Sequence, residues 1–261
     1  MYEFQYHRPG SAADAIAVRA KADDGSFLAG GMTILPTMKL RLASPSDLVD
    51  LAGIGDLRGI KADGGTVTIG AMTTHFEVTS SSDVHPALAY LAGRIGDPMV
   101  RHRGTIGGSI ANNDPAADYP AGLVGLGATV QTDKRAIAAD DFFTGLFETA
   151  LAEGELVTSI SFPTPKRAAY MKFPQPASRY ALVGVFVAET DGGVRVAVTG
   201  AGPSVFRVPD MEAALGSNFS ADAIAGIAVS ADGLNSDIHG SPEYRAHLVG
   251  VMAKRAVAAA G

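Results

Sequence analysis

The sequence predicts an α+β protein built in two units, and three observations carry that expectation. Short strand-like and helix-like stretches alternate from the N-terminus to about residue 162. The run Pro163-Thr164-Pro165 then breaks the pattern. Beyond it, two β-rich runs joined by a turn precede a helical C-terminus. One unit over residues 1–164 and a smaller one over residues 165–261, split near Pro163–Lys166, is the expected organisation.

The elements follow in order. Tyr2–Tyr6 alternates as a short strand, and Ser11 caps a helix over Ala12–Ala22, with Asp14 suiting its positive end. Phe27–Ala29 reads as a strand that runs into Gly30-Gly31. Leu35, Met38 and Leu42 then recur at helical spacing over Thr33–Leu42. Leu48–Leu51 and Thr66–Ala71 are strands, the second entered through an Asp63-Gly64-Gly65 turn. Thr74 and Glu77 form a capping box, and His85–Gly96 is a further helix. Arg101–Gly127 reads as loop-rich. Leu156–Phe162 is a strand, and Ala181–Glu189 pairs with Val194–Gly200 across Asp191-Gly192-Gly193. Ser241 and Pro242 open the last helix, whose Leu248, Met252 and Val257 read as a core stripe.

Composition excludes several classes of function. Of the 261 residues 47% are apolar and 18% charged, and 31 are glycine, which suits packed, turn-rich cores rather than disorder. A net charge of -6 disfavours general nucleic-acid binding, which relies on a positive field. Cysteine is absent, so no disulfide, thiolate metal site, Cys nucleophile or iron–sulfur cluster belongs to this chain. The longest clean apolar run, Ala181–Ala188, is far shorter than a spanning helix. The N-terminus MYEFQYHRPG lacks the basic start and apolar stretch of an export signal, so a cytoplasmic protein is expected.

Motifs exclude more. No Gly precedes a Lys, which removes the P-loop; no G-x-G-x-x-G or G-x-S-x-G occurs; the six histidines form no i, i+4 pair. No metal site is expected. What remains is two glycine loops, Leu28-Ala29-Gly30-Gly31-Met32-Thr33 and Gly104-Thr105-Ile106-Gly107-Gly108-Ser109. Paired glycines followed by Thr or Ser let backbone N–H groups converge on an anion, and glycine lets a backbone approach a phosphate closely. Each loop alone reads more readily as an ordinary tight turn. Together, with the other nucleotide motifs gone, they point to a dinucleotide held from two sides.

The stretch AGGMTILPTMKLRLASPSDLVDL, followed by VRHRGTIGGSIANNDPAADYP, resembles the FAD-binding medium subunit of molybdenum hydroxylases, the family of the carbon monoxide dehydrogenase medium subunit and its xanthine- and aldehyde-oxidising relatives. The likeness extends through ELVTSISFP and the YMKF–SRYALVGVFVA stretch. It implies a two-part FAD-binding domain of the vanillyl-alcohol-oxidase (PCMH) type, then a small α+β domain with an antiparallel sheet. It also implies FAD contacts at Leu28, Ala29, Gly30, Gly31, Met32, Thr33, Ile34 and Leu35, and at Thr105, Ile106, Gly107, Gly108 and Ser109. Asp118 matches a carboxylate on a polar part of the cofactor, and Val157 and Lys172 match positions near the flavin ring. Met32 stands where relatives often carry His, Gln or Gly, so FAD is expected to be non-covalent.

The same resemblance implies partners: a molybdopterin-binding large subunit and a [2Fe-2S] small subunit, assembled as a dimer of heterotrimers. The chain is then an electron carrier with no catalytic side chain of its own, delivering electrons to an external acceptor. A stand-alone FAD oxidase or dehydrogenase, and a fold that has lost its cofactor, are the competing readings. Arg101, His102 and Arg103 either balance a diphosphate, meet a partner or form a solvated turn. Asp114 reads as a turn residue, and Tyr119 and Tyr180 as packing residues rather than flavin contacts.

Overall fold

The computed structural model describes residues 1–261. The chain opens with β1 (Gln5–His7), α1 (Ala12–Arg19), β2 (Gly25–Leu28), α2 (Ile34–Lys39) and β3 (Asp47–Asp50). The strands form a parallel sheet in the order β1-β3-β2, with α1 and α2 as crossovers. The Ser11 hydroxyl accepts the Asp14 amide at 3.1 Å, as its sequence predicts. The helix ends at Arg19, not Ala22, because Lys21-Ala22-Asp23-Asp24 offers too little apolar surface to hold another turn. The first strand is Gln5–His7, not Tyr2–Tyr6, since only those residues pair with Asp47–Val49. Arg41 turns to φ 61° and ends the run after α2, leaving Leu40 and Leu42 in solvent. The helical spacing of Leu42 therefore marks no buried face.

Next come β4 (Ile60–Asp63), β5 (Thr66–Gly70), α3 (His75–Ser80), α4 (Pro86–Gly93), α5 (Pro98–Arg101), α6 (Ile106–Asn112), α7 (Tyr119–Leu126), β6 (Thr129–Thr132), β7 (Ala136–Ala138), α8 (Ala139–Phe142), β8 (Phe143–Gly145), β9 (Glu148–Thr149) and β10 (Val157–Pro163). Five of these strands form an antiparallel sheet, β4-β5-β10-β6-β7. The capping box at Thr74–Glu77 is fully formed. The stretch expected as loop between Arg101 and Gly127 contains two helices, α6 and α7. Glycine weakens an isolated helix, but every residue of α7 is buried. A Cβ on Gly125 would lie 2.7 Å from Phe186, and one on Gly122 would lie 3.0 Å from Leu91. The missing side chains let α7 settle between α4 and the sheet beyond it, and that burial outweighs propensity.

The remainder is β11 (Arg167–Pro174), β12 (Ala181–Thr190), β13 (Gly193–Thr199), β14 (Phe206–Arg207), α9 (Pro209–Ser217) and α10 (Pro242–Ala260). The four strands pair antiparallel in chain order. Tyr170, Phe186, Ala188 and Ala197 face the core that includes α4 and α7. Val183, Val185, Val187, Val196 and Val198 face a second core with Met211 of α9 and Leu248 and Met252 of α10. Burial on both faces explains the unbroken apolar run at Ala181–Ala188, and seats one face of this sheet against α4 and α7.

Candidate cofactor site

A cavity of about 640 Å³ opens between the parallel sheet and α6, within the range of small-molecule and cofactor sites. Both glycine loops line it. They interlock: a Cβ on Gly30 would stand 2.0 Å from the Arg103 carbonyl oxygen and 2.8 Å from Gly104 Cα. Only glycine at 30 lets the two backbones touch. Gly31 takes φ 75°, a left-handed conformation that favours glycine.

The loops do different work, which their similar sequences conceal. In the first, the amides of Gly30, Gly31, Met32 and Thr33 donate to no protein acceptor, and the Thr33 side chain caps nothing. That is a nest of free donors. In the second, the amides of residues 106–109 are already taken. Ile106 N–H goes to Thr73 O (3.1 Å), Gly107 N–H to Ala71 O (2.8 Å), Gly108 N–H to Thr105 Oγ1 (3.1 Å) and Ser109 N–H to Thr105 O (3.0 Å). The expectation that both loops aim amides at one anion is therefore corrected for 106–109. A Cβ on Gly107 would meet Ala71 at 2.5 Å, so close packing at residue 71 requires glycine here. Helices α2 and α6 are six and seven residues long, so hydrogen bonds matter more here than a macrodipole.

Of the residues expected at the cofactor, Ala29, Gly30, Gly31, Met32, Thr33, Ile34, Thr105, Gly107, Gly108, Ser109, Asp118 and Val157 line the cavity. Leu28, Leu35, Ile106 and Lys172 stand outside its wall. Ile106 is a core residue with no exposed surface, and Leu35 packs against Gly31. Lys172 points its ammonium at Asp118 Oδ2 (2.9 Å) and the Arg94 carbonyl (3.1 Å). The Tyr170 hydroxyl donates to Asp118 Oδ1 at 2.5 Å. Burial pushes the Asp118 carboxyl up, against the opposing pull of Lys172 and Tyr170.

The other candidates resolve by geometry. Arg101 donates to the Ile95 and Gly96 carbonyls and braces the turn on the cavity rim, while His102 stacks on Phe76. Asp114 Oδ1 accepts the Ala116 amide in a turn at the cavity, and burial raises its carboxyl. Tyr119 lies wholly in the core; Tyr180 is half-exposed at the cavity mouth. No motif marked His75, Leu151, Glu155 or Leu156, which are remote in the chain from both loops, or Asn112, which ends the helix that begins in the second loop. Glu155 holds that wall: it takes two hydrogen bonds from Arg135 (3.0 and 3.1 Å), one from Thr132 and one from the Ala152 amide. Arg135 draws its carboxyl down to about 2.

A cavity lined by unpaired backbone donors defines a cofactor-holding protein. Comparison with known proteins makes this specific. The family model for the FAD binding domain in molybdopterin dehydrogenase matches residues 2–165, and that for the CO dehydrogenase flavoprotein C-terminal domain matches residues 168–260. The chain belongs to this family of molybdopterin-dehydrogenase FAD-binding subunits. It is 36% identical to the carbon monoxide dehydrogenase medium chain of Hydrogenophaga pseudoflava, over 98% of this chain and 96% of that one. It is 37% identical to the nicotine 6-hydroxylase medium subunit of Paenarthrobacter nicotinovorans, over 98% and 97%. The solved structure of reconstituted CO dehydrogenase from Oligotropha carboxidovorans superposes with a TM-score of 0.91 at 36% identity, covering 99% of this chain and 98% of that one. No helix is long and apolar enough to cross a membrane.

Proposed function

We propose that this chain is the FAD-carrying, electron-transfer subunit of a molybdenum hydroxylase, associated with a molybdopterin-binding large subunit and a [2Fe-2S] small subunit. The observation that carries the reading is the free nest at Gly30–Thr33, clamped beside the second loop and open to the cavity. Such a donor set fits a diphosphate.

Gly30, Gly31, Met32 and Thr33 would bind the diphosphate through their amides, and Thr33 and Ser109 add hydroxyls at the wall. Met32 offers an apolar side chain at the mouth and no group for a covalent link, so the cofactor is dissociable. Asp118, held by Tyr170 and Lys172, presents a fixed polar edge, and Val157 an apolar one. FAD, when bound, supplies the exchange between one-electron and two-electron carriers. The side chains orient it and exclude water; none is needed to move a substrate proton. With no cysteine in the chain, any cluster feeding this site is held by a partner.

The test is purification of the native complex followed by a visible spectrum and metal analysis. Flavin, iron, sulfide and molybdenum in one particle are expected. A flavoprotein lacking the metals, and reduced directly by a small alcohol or amine, would overturn the reading in favour of a stand-alone dehydrogenase.

A further inference from the structure

His75 begins α3 and lines the same cavity, yet it lies in neither glycine loop. Its backbone N–H bonds the Gly104 carbonyl at 3.0 Å, and the neighbouring Thr74 forms a bridge with Thr105. The imidazole is therefore fixed directly behind the second loop. Its residue surface is 4% exposed. A Cβ on Gly104 would come within 2.5 Å of Nε2, so glycine at that position leaves the ring its space. Neither ring nitrogen has a protein partner. Nδ1 is fully buried, whereas Nε2 is not among the sealed polar atoms. The ring also packs on Tyr119, centroids 5.3 Å apart.

A buried polar side chain without a protein partner calls for one from elsewhere. Burial, with the Arg101 charge adding to it, pushes the His75 imidazole down to about 4, so the ring is neutral at pH 7 and carries one N–H. A sealed acceptor without a partner is tolerated better than a sealed donor. The proton therefore belongs on Nε2, the nitrogen with access to the cavity, and Nδ1 is left as the acceptor. The second loop's own amides at 106–109 are already spent on protein acceptors. On that side of the cavity the loop's own free donors include the Thr105 amide and the Ser109 hydroxyl, and His75 adds one from outside the loop.

We propose that His75 is a third arm of the cradle, donating Nε2–H past Gly104 to a phosphate oxygen of the bound dinucleotide. The proposal rests on the FAD-subunit reading and extends it. The donor is neutral, so it binds without adding a second buried charge to be balanced when the site is empty. Placed on a helix start that is tied to the second loop, it also makes cofactor binding sense the position of that loop.

The experiment uses the flavin-stripped native complex, titrated with FAD and separately with ADP, which carries the diphosphate but no flavin. His75→Gln keeps a donor near the position of Nε2, whereas His75→Asn ends at the depth of Nδ1. His75→Asn is expected to weaken both FAD and ADP about tenfold or more, the scale of losing one hydrogen bond to a charged acceptor, with His75→Gln within about threefold of the parent. Gly104→Ala, which drives a methyl into Nε2, should resemble His75→Asn and keeps the test alive if the asparagine variant fails to fold. Parent-like binding of both ligands by His75→Asn and Gly104→Ala would overturn the proposal. So would loss of FAD affinity with ADP affinity unchanged, since the contact would then lie away from the diphosphate. A parent complex that takes up no FAD at all would instead sink the broader functional reading.

Discussion

Lys172, on the C-terminal sheet, holds its ammonium 2.9 Å from Oδ2 of Asp118 on the cavity wall, and both side chains are almost sealed from solvent. Each charge has a second anchor: the Arg94 carbonyl for Lys172 and the Tyr170 hydroxyl for Asp118. The pair thus ties the sheet that follows Pro163 to the edge of the cofactor site. The Lys172 ammonium fixes the Asp118 carboxylate in place.

Breaking this pair one-sidedly is expected to be costly. Lys172→Met leaves Asp118 buried and unpaired, at a cost of about 3–5 kcal/mol. Adding Asp118→Asn should recover part of that loss, because the orphaned charge is gone. Urea unfolding of the two single variants and the double variant measures the coupling. Equal and additive losses would show that the two side chains do not act as a unit.

Loop contact makes a sharp glycine prediction. Gly30→Ala places a methyl 2.0 Å from the Arg103 carbonyl and must part the loops. Flavin affinity should fall about tenfold or more, as expected when a preorganised donor set is lost. Gly55→Ala is the control, since nothing lies within 4 Å of the added atom and the backbone φ is ordinary there. Its affinity and melting temperature should match the parent.

Acid should loosen the cavity wall through Glu155. Its folded carboxyl is drawn from an ordinary 4.5 to about 2. A lowered carboxyl contributes stability that is complete above its unfolded value and is lost as pH falls from about 4.5 to about 2. Arg135 is half-exposed, so solvent screening trims the contribution to about 2 kcal/mol at neutral pH. Arg135→Ala should therefore remove the Arg135 part of that stability at pH 7, the Thr132 and Ala152 hydrogen bonds remaining, and remove progressively less as pH falls toward 2, read from urea midpoints at several pH values.

At the far side of the C-terminal sheet, Arg245 donates to the Leu182 and Gly200 carbonyls, both at 2.9 Å, and to Asp237 Oδ2 at 2.7 Å. Arg245→Met removes this donor from the Leu182 carbonyl and leaves the Gly200 carbonyl with only the Asn235 side-chain amide at 3.4 Å, a loss of about 2–4 kcal/mol. Arg245 itself lines no part of the cavity. Calorimetry should show a lower melting temperature, while the flavin content of the protein that remains folded stays at the parent level.

Local chemistry made much of this protein legible. The Ser11 cap, the Thr74–Glu77 capping box, the Asp191-Gly192-Gly193 hairpin and the Ser241-Pro242 helix start are short-range patterns, and each forms where its residues predict. The two glycine loops were equally visible, because few other residues tolerate such backbone approach. Helix α7 was not. Its glycines read as loop until Leu91 and Phe186, brought from remote segments, gave them something to pack against.

By itself the sequence determined that no metal–thiolate or P-loop chemistry belongs to this chain, and that two glycine cradles lie in it some 75 residues apart. Tertiary structure decided how the cradles divide their labour. Whether an amide is free depends on which acceptor the fold delivers to it; Thr73 and Ala71 claim the amides of Ile106 and Gly107, Thr105 claims those of Gly108 and Ser109, and nothing claims those of Gly30–Thr33. The same holds for His75 and Lys172, whose places are set by sheet register and by a partner charge, neither of which is written at their own positions in the chain.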